Sequence, residues 1–323
     1  MSAGVGIARV ARQSRPPRAA TSARDAASAP LSAPPPRSPG PDLRAAVRAT
    51  AWWAVASVVG VAVVVYLVGA LIAAREQRSL LAGFRDDVSR AVGSVSDSLR
   101  GASPVTRSPA LGDPVALVQI QRLGVQQVAV EGADPARTRS APGHLPGTAG
   151  IGQPGNAVLT GRSLTFGRSF GRLNELRVGD QVVATTTQGQ SLYVVQSVRS
   201  DVPVTDAVAD AGPEDHLTLI TSSSWLPWSG DTATVVVAEL KTRPFTPTPQ
   251  NGRADNQNGR SGDPSALPLA VLCALAFVGT AVTATVLYQR WSIPGTYVVT
   301  TPALVALLVF AALAASSLLP AWA

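Results

Sequence analysis

Three long stretches without a charged side chain decide what this chain can become. Residues 49–74 lie between Arg48 and Arg75 and are centred on WWAVASVVGVAVVVYLVGALIAA. Residues 264–289 lie between Asp263 and Arg290, with the core LPLAVLCALAFVGTAVTATVLY. From Trp291 to Ala323 no charged side chain occurs. A helix crossing the hydrocarbon core needs about 20 apolar residues at about 1.5 Å each. Membrane helices are therefore expected over 49–74, 266–288 and 297–319. The first lies too far from the N-terminus, and is too long, for a cleaved signal peptide. Trp52, Trp53, Tyr288, Trp291, Tyr297 and Trp322 stand near the ends of these stretches, as an interfacial aromatic belt predicts. The implied class is a multi-pass plasma-membrane protein with three spans in the lipid bilayer.

Arginine sets the orientation. Residues 1–50 carry eight arginines against Asp25 and Asp42, so this end is expected in the cytoplasm. The region between the first two spans is then extracytoplasmic, and the short loop bearing Arg290 is inside again. The net charge of +7 belongs to the N-terminal region: between Leu111 and Leu240 there are eight arginines and twelve carboxylates. That acidic balance argues against nucleic acid as a partner. The one cysteine, Cys273, lies inside the second span, which excludes an internal disulfide framework and a multi-thiolate metal site. His144 and His216 are the two histidines. Asp134, Glu175 and Asp180 are scattered singly, and no Gly-rich loop joins a strand to a helix. No metal and no cofactor are expected.

Composition divides the rest. Residues 1–48, rich in Ala, Pro, Ser and Arg, read as a disordered cytoplasmic tail. Residues 75–110 form a stalk and linker. Within it Leu81, Phe84, Val88, Val92, Val95 and Leu99 recur at helical spacing over 76–100, which predicts an amphipathic helix. That helix either packs on its own domain or pairs with a second copy. Residues 111–240 change to period two: VALVQI, VQQVAV, NAVLTG, DQVVATTT, SLYVVQSV, HLTLIT and ATVVVAEL are β-branched runs divided by Gly, Pro and Asp. One helix is expected, around SFGRLNELR, where Phe170, Leu173 and Leu176 share a face. The fold class is an all-β barrel of about eight strands with that one short helix, plus three transmembrane helices. Residues 241–265, rich in Pro, Gly and Asn, read as a linker into the second span.

The order GDPVALVQIQRLGVQQVAVEG, APGHLPGTAGIGQPGNAVLTG, FGRLNELRVGDQVV, LTLITS and VVVAEL resembles a sortase domain. The resemblance is to the class D and E type of high-GC Gram-positive bacteria and covers about 111–240. The spaced Pro and Gly of PGHLPGTAGIGQPGN are its most specific part. It implies an eight-stranded barrel at the outer membrane face. In active members a cysteine attacks a sorting signal and the acyl group passes to an amine. A histidine protonates the leaving amine, and an arginine stabilises the developing oxyanion.

Matched residue by residue, that catalytic set is degenerate. The histidine follows Gly in a GH pair, but here the pair is Gly161-Arg162. The cysteine ends an LTLxTC strand, but here Ser222 follows LTLIT. The arginine stands two residues before the VVVAEL strand, where this chain has Ala233. No change of register restores the set, because no arginine occurs between Arg199 and Arg243. His144 sits in the PGH element, where the family often has a second, non-catalytic histidine. His216 lies six residues from Ser222, about 20 Å along an extended strand.

Two readings remain open. The first is a non-catalytic binding or accessory protein of the cell envelope, whose partner is a sorting-signal peptide, a pilin or a sortase. The second is a divergent sortase-type transpeptidase or hydrolase using Ser222 with residues recruited from elsewhere, His144 among them. Candidate groove or partner contacts are His144, Arg162, Ser223, Trp225 and Trp228. Arg162 is expected either to grip a ligand or to join a surface ion pair. Ser222 to Ser224 also fit a hydrogen-bonded strand end, since a serine without a positioned base is a poor nucleophile.

Overall fold

Alternation sets the core. In β1 (Pro114–Ile120) Ala116, Val118 and Ile120 are buried while their neighbours are partly exposed. The same period recurs in β5 (Gln181–Thr186) and the first half of β6 (Gly189–Pro203), whereas β2 (Val125–Glu131) is buried throughout its last four residues. Two further strands, β7 (His216–Ser222) and most of β8 (Thr232–Leu240), are buried on both faces. The short β3 (Gly143–His144) and β4 (Asn156–Thr160) complete the set. This is a computed structural model, and it describes residues 52, 55–98, 108–203, 215–226, 231–252, 262–290 and 293–322.

The eight strands form a closed barrel in the order β1-β2-β3-β4-β7-β8-β6-β5. The β1·β5 pairing closes it, so no sheet edge is left open. Most neighbours are antiparallel, but β2·β3 and β4·β7 are parallel. Ala116, Val118, Ile120, Ala157, Leu159, Leu217, Leu219, Val236 and Ala238 belong to the apolar cluster inside the barrel. Around SFGRLNELR the expected helix is reduced to a 3-10 turn, Leu173–Glu175. Left-handed backbone at Phe166, Gly167 and Arg168 leaves too few residues to nucleate an α-helix. Phe170, Leu173 and Leu176 are buried together nonetheless.

The first apolar stretch and the stalk are one element. Residues 55–63 pass through a π-helical segment, Val64–Val68, into α1 (Gly69–Ser98). Phe84 of the expected apolar face is buried, whereas Val92 is 65% exposed; Val95 and Leu99 lie outside the residues whose side chains are described. The helix is locked to its own barrel by Gln77, whose side-chain amide donates to the carbonyls of Val128 and Ser140 and accepts from Val128 N–H. Among the described residues, three helices are long and apolar enough to cross a membrane: Val55–Gly93, Pro264–Ala284 and Thr300–Ser317. The last two belong to α2 (Leu267–Arg290) and α3 (Ile293–Ser317). Their shared base is tied by Asp263 N–H donating to Ser317 O at 2.8 Å. The N-terminal tail lies outside the described residues.

Half of the expected linker is bound to the barrel. Phe245 packs over Gly152 and Gly189, whose positive φ and bare Cα make room for the ring. Its N–H donates to Gly152 O, and Thr248 N–H donates to Gln153 Oε1. Further on, Asn251 Nδ2 donates to Glu131 Oε1 at 3.0 Å.

Candidate functional site

One end of the β4–β7–β8 sheet gathers the three matched positions. In β4·β7 Thr160 pairs with Ile220, and the ladder continues with Gly161 N–H donating to Ile220 O. That register sets Arg162 beside Ser222, the last residue of β7. On the other side Ser222 pairs directly with Ala233 of β8. Strands lie about 4.8 Å apart, so the three backbones fall within about 10 Å. Alternation also sorts the faces: Leu217 and Leu219 point into the barrel, whereas Ile220 joins Val158, Ala233 and Val235 in a second apolar cluster outside it. Ser222, two residues on from Ile220, belongs to the same outer face.

Arg162 differs from expectation. It is neither exposed nor a member of an ion pair among the described residues: its relative exposure is 0%. Nη1 donates to Thr165 Oγ1 at 2.9 Å and Nη2 to Pro135 O at 3.0 Å. The guanidinium lies 5.0 Å from the centroid of the Phe166 ring. Burial, and then repulsion from Arg139, pushes its pKa down to about 9. At neutral pH it remains a cation, which cannot take a proton from a neighbouring hydroxyl.

Ser222 has no base beside it among the described contacts. Its Oγ accepts from Ser224 N–H at 3.2 Å. Ser223 Oγ donates to Thr232 Oγ1 at 2.8 Å, closing the β7–β8 end. His144 is engaged within its own element. Its Nδ1 meets Glu131 Oε2 at 2.7 Å, and its Nε2 lies 2.9 Å from Ala149 O and 3.1 Å from Thr148 Oγ1. It pairs with Leu159 in β4, so it stands three residues back from Ser222 and two strands away. His216 begins the strand that Ser222 ends. Trp225 is 80% exposed next to the site, and Trp228 lies outside the described residues. Cys273 is in α2, away from the barrel strands. No group of three metal-ligating side chains occurs among the described residues.

Residues 118–241 match the model of the Sortase domain family. The chain carries a sortase domain. Sortase E from Streptomyces avermitilis is 29% identical, over 42% of this chain and 93% of that one, with a TM-score of 0.37. A mutant of the same enzyme is 30% identical over the same shares, also at 0.37. The Clostridium perfringens Sortase D5 transpeptidase is 23% identical over 51% of this chain and 98% of its own, at 0.42. No curated protein is significantly similar to the chain.

One residue of this site escaped the sequence reading. Trp322, taken as an interfacial aromatic, is 1% exposed and sits in the outer cluster with Val158, Ile220, Ala233 and Val235 of the sortase domain. Its carbonyl accepts from Ser163 N–H at 3.1 Å and from Ser222 N–H at 3.3 Å. An apolar residue just past an apolar helix gives no local signal for such docking; only the absence of a basic residue between it and α3 left it free to turn away from the interface.

Proposed function

We propose that this sortase-family protein is a non-catalytic, membrane-anchored binding or accessory protein of the cell envelope. The observation that carries the reading is the composition of the β4–β7–β8 edge. Arg162, Ser222 and Ala233 stand together where the family resemblance calls for histidine, cysteine and arginine, and the only thiol of the chain is in α2. A buried cation, an unassisted hydroxyl and a methyl group can hold a peptide backbone but cannot make, protonate and stabilise an acyl intermediate. The partner would be a sorting-signal peptide, a pilin or a sortase, presented at the outer face of the plasma membrane. The basic N-terminal region would stay in the cytoplasm. Both ends of the α2–α3 hairpin that meet at Asp263 and Ser317 would lie on the barrel side, which fits that topology.

The test is turnover. The full chain in lipid nanodiscs, incubated with sorting-signal peptides and an amine acceptor, should yield neither transpeptidation nor hydrolysis. Product that disappears in Ser222→Ala would instead identify a divergent transpeptidase or hydrolase with Ser222 as nucleophile.

A further inference from the structure

We propose that the segment Leu318–Trp322 is a resident peptide ligand of the sortase-domain cleft, one that a short apolar peptide supplied in trans displaces. The segment leaves α3 at Leu318, whose N–H still bonds Ala315 O, and Pro320 prevents the helix from continuing. Ala321 and Trp322 then become fully buried, at 0% and 1% exposure. The burial is against the sortase domain, in the cluster formed by Ala133, Leu145, Val158, Ile220, Ala233 and Val235.

The place it takes is the matched edge itself. The two N–H groups that hold the Trp322 carbonyl belong to Ser222 and to Ser163, the neighbour of Arg162. They lie past the last β4·β7 pair, where no strand supplies an acceptor, so a carbonyl from another segment is what satisfies them. Two donors converging on one carbonyl is how an extended peptide is gripped. The small side chain of Ala233, fully buried, leaves the volume that the indole fills.

Several unmade bonds mark Trp322 as an occupant rather than as ordinary core. A buried tryptophan normally finds an acceptor for its ring N–H. Here Trp322 Nε1 has none among the described residues, and neither Arg162 Nε, Ser163 Oγ nor Thr160 Oγ1 has a partner. Thr160, Arg162 and Ser163 stand at the end of β4 on which Trp322 is docked. The cleft therefore retains hydrogen-bonding capacity that its occupant does not use, and a better-matched peptide gains where Trp322 does not. The occupancy is independent of whether the site reacts; the competition with a partner peptide rests on the binding function proposed above.

Two measurements on the full chain in nanodiscs separate these parts. A photo-crosslinking phenylalanine in place of Trp322 should join to peptides 156–163, 215–226 or 231–240; crosslinks to lipid alone would overturn the occupancy. The fluorescent peptide SLLPAWA, residues 317–323, should bind saturably to a chain stopped after Ser317 and to full-length Trp322→Ala. It should bind the unmodified chain about tenfold or more weakly, since a tethered competitor acts at roughly millimolar concentration. The same peptide with alanine for its tryptophan should not bind. Equal binding to all three proteins, or none to either variant while crosslinking succeeds, would overturn the exchange. Turnover of sorting-signal peptides would sink the non-catalytic reading and leave both of these results standing.

Discussion

Arg162→Met isolates the electrostatics at the matched edge. Methionine keeps most of the length of the side chain and removes its charge. The buried guanidinium has two hydrogen bonds and a ring face as partners, and no carboxylate among the described residues. Its pKa falls well below the ordinary arginine range, to about 9, with burial the main cause and Arg139 the second. At about 1.36 kcal/mol per unit, that depression disfavours the charged form by about 5 kcal/mol. The substitution also takes the side-chain donor from Pro135 O, a cost that does not change with pH. The pH dependence is therefore the decisive readout. A cation whose folded pKa lies below its unfolded one takes up a proton on unfolding between those values. Its penalty is in full force below pH 9 and is relieved as pH rises through the folded pKa. Between pH 8 and pH 10 the relief is about 1.4 kcal/mol, the energy of one proton over one pH unit. Urea unfolding of the detergent-solubilised chain, followed by near-ultraviolet circular dichroism, should show wild type gaining that amount relative to Arg162→Met. Tyr193, whose pKa burial raises to about 12, titrates in both proteins and cancels. A difference that stays flat from pH 8 to pH 10 would refute the account of a buried, carboxylate-free arginine.

Glu131→Ala should cost about 1–3 kcal/mol in the same assay, because it strands the buried His144 ring N–H, while the Asn251 amide loses one acceptor and keeps Pro109 O; a loss well under about 1 kcal/mol would mean that the His144 bond does not matter. It should also make the 241–252 segment cleavable by protease in the folded protein. After Cys273→Ala, a cysteine placed at the exposed Trp225 should react with a membrane-impermeant maleimide in intact cells, and one at residue 30 should not. The reverse pattern would invert the proposed topology.

Local chemistry made most of this molecule legible, and long-range docking hid the rest. Charge-free stretches and period-two runs are properties of neighbouring residues, so the three helices and the main strands could be read directly. The motif spacing located Arg162, Ser222 and Ala233, but alternation alone could not say that β4 and β7 run parallel or that β3 spans two residues. Charge misled at Arg162, since arginine is seldom buried and nothing nearby in sequence announces Pro135 and Thr165 as its acceptors. Composition was silent on docking at 241–252, where Pro, Gly and Asn mark a linker and the structure seats it on the barrel. The lone aromatic, Phe245, was the signal, and its seat is two glycines 93 and 56 residues earlier in the chain. In the SFGRLNELR segment the period was right and the backbone was not: Phe170, Leu173 and Leu176 share the core from a 3-10 turn.

The three residues at the matched edge fit one another. An arginine at 233 would project from β8 onto the outer face where the Trp322 ring now lies; alanine leaves that volume free. A histidine at 162 could not reach both Pro135 O and Thr165 Oγ1 with two donors on one carbon, as the guanidinium does. That reach pins the loop whose next residue, Ser163, supplies one of the two N–H groups on the Trp322 carbonyl. The same loop presses Phe166 against Gly69 of α1, where any Cβ would lie 2.8 Å from the ring. The barrel edge, the first apolar helix and the segment after the third are thus joined through one short loop. In that arrangement the edge is an attachment point between the sortase domain and its apolar helices, and loss of the Trp322 contact would loosen that attachment.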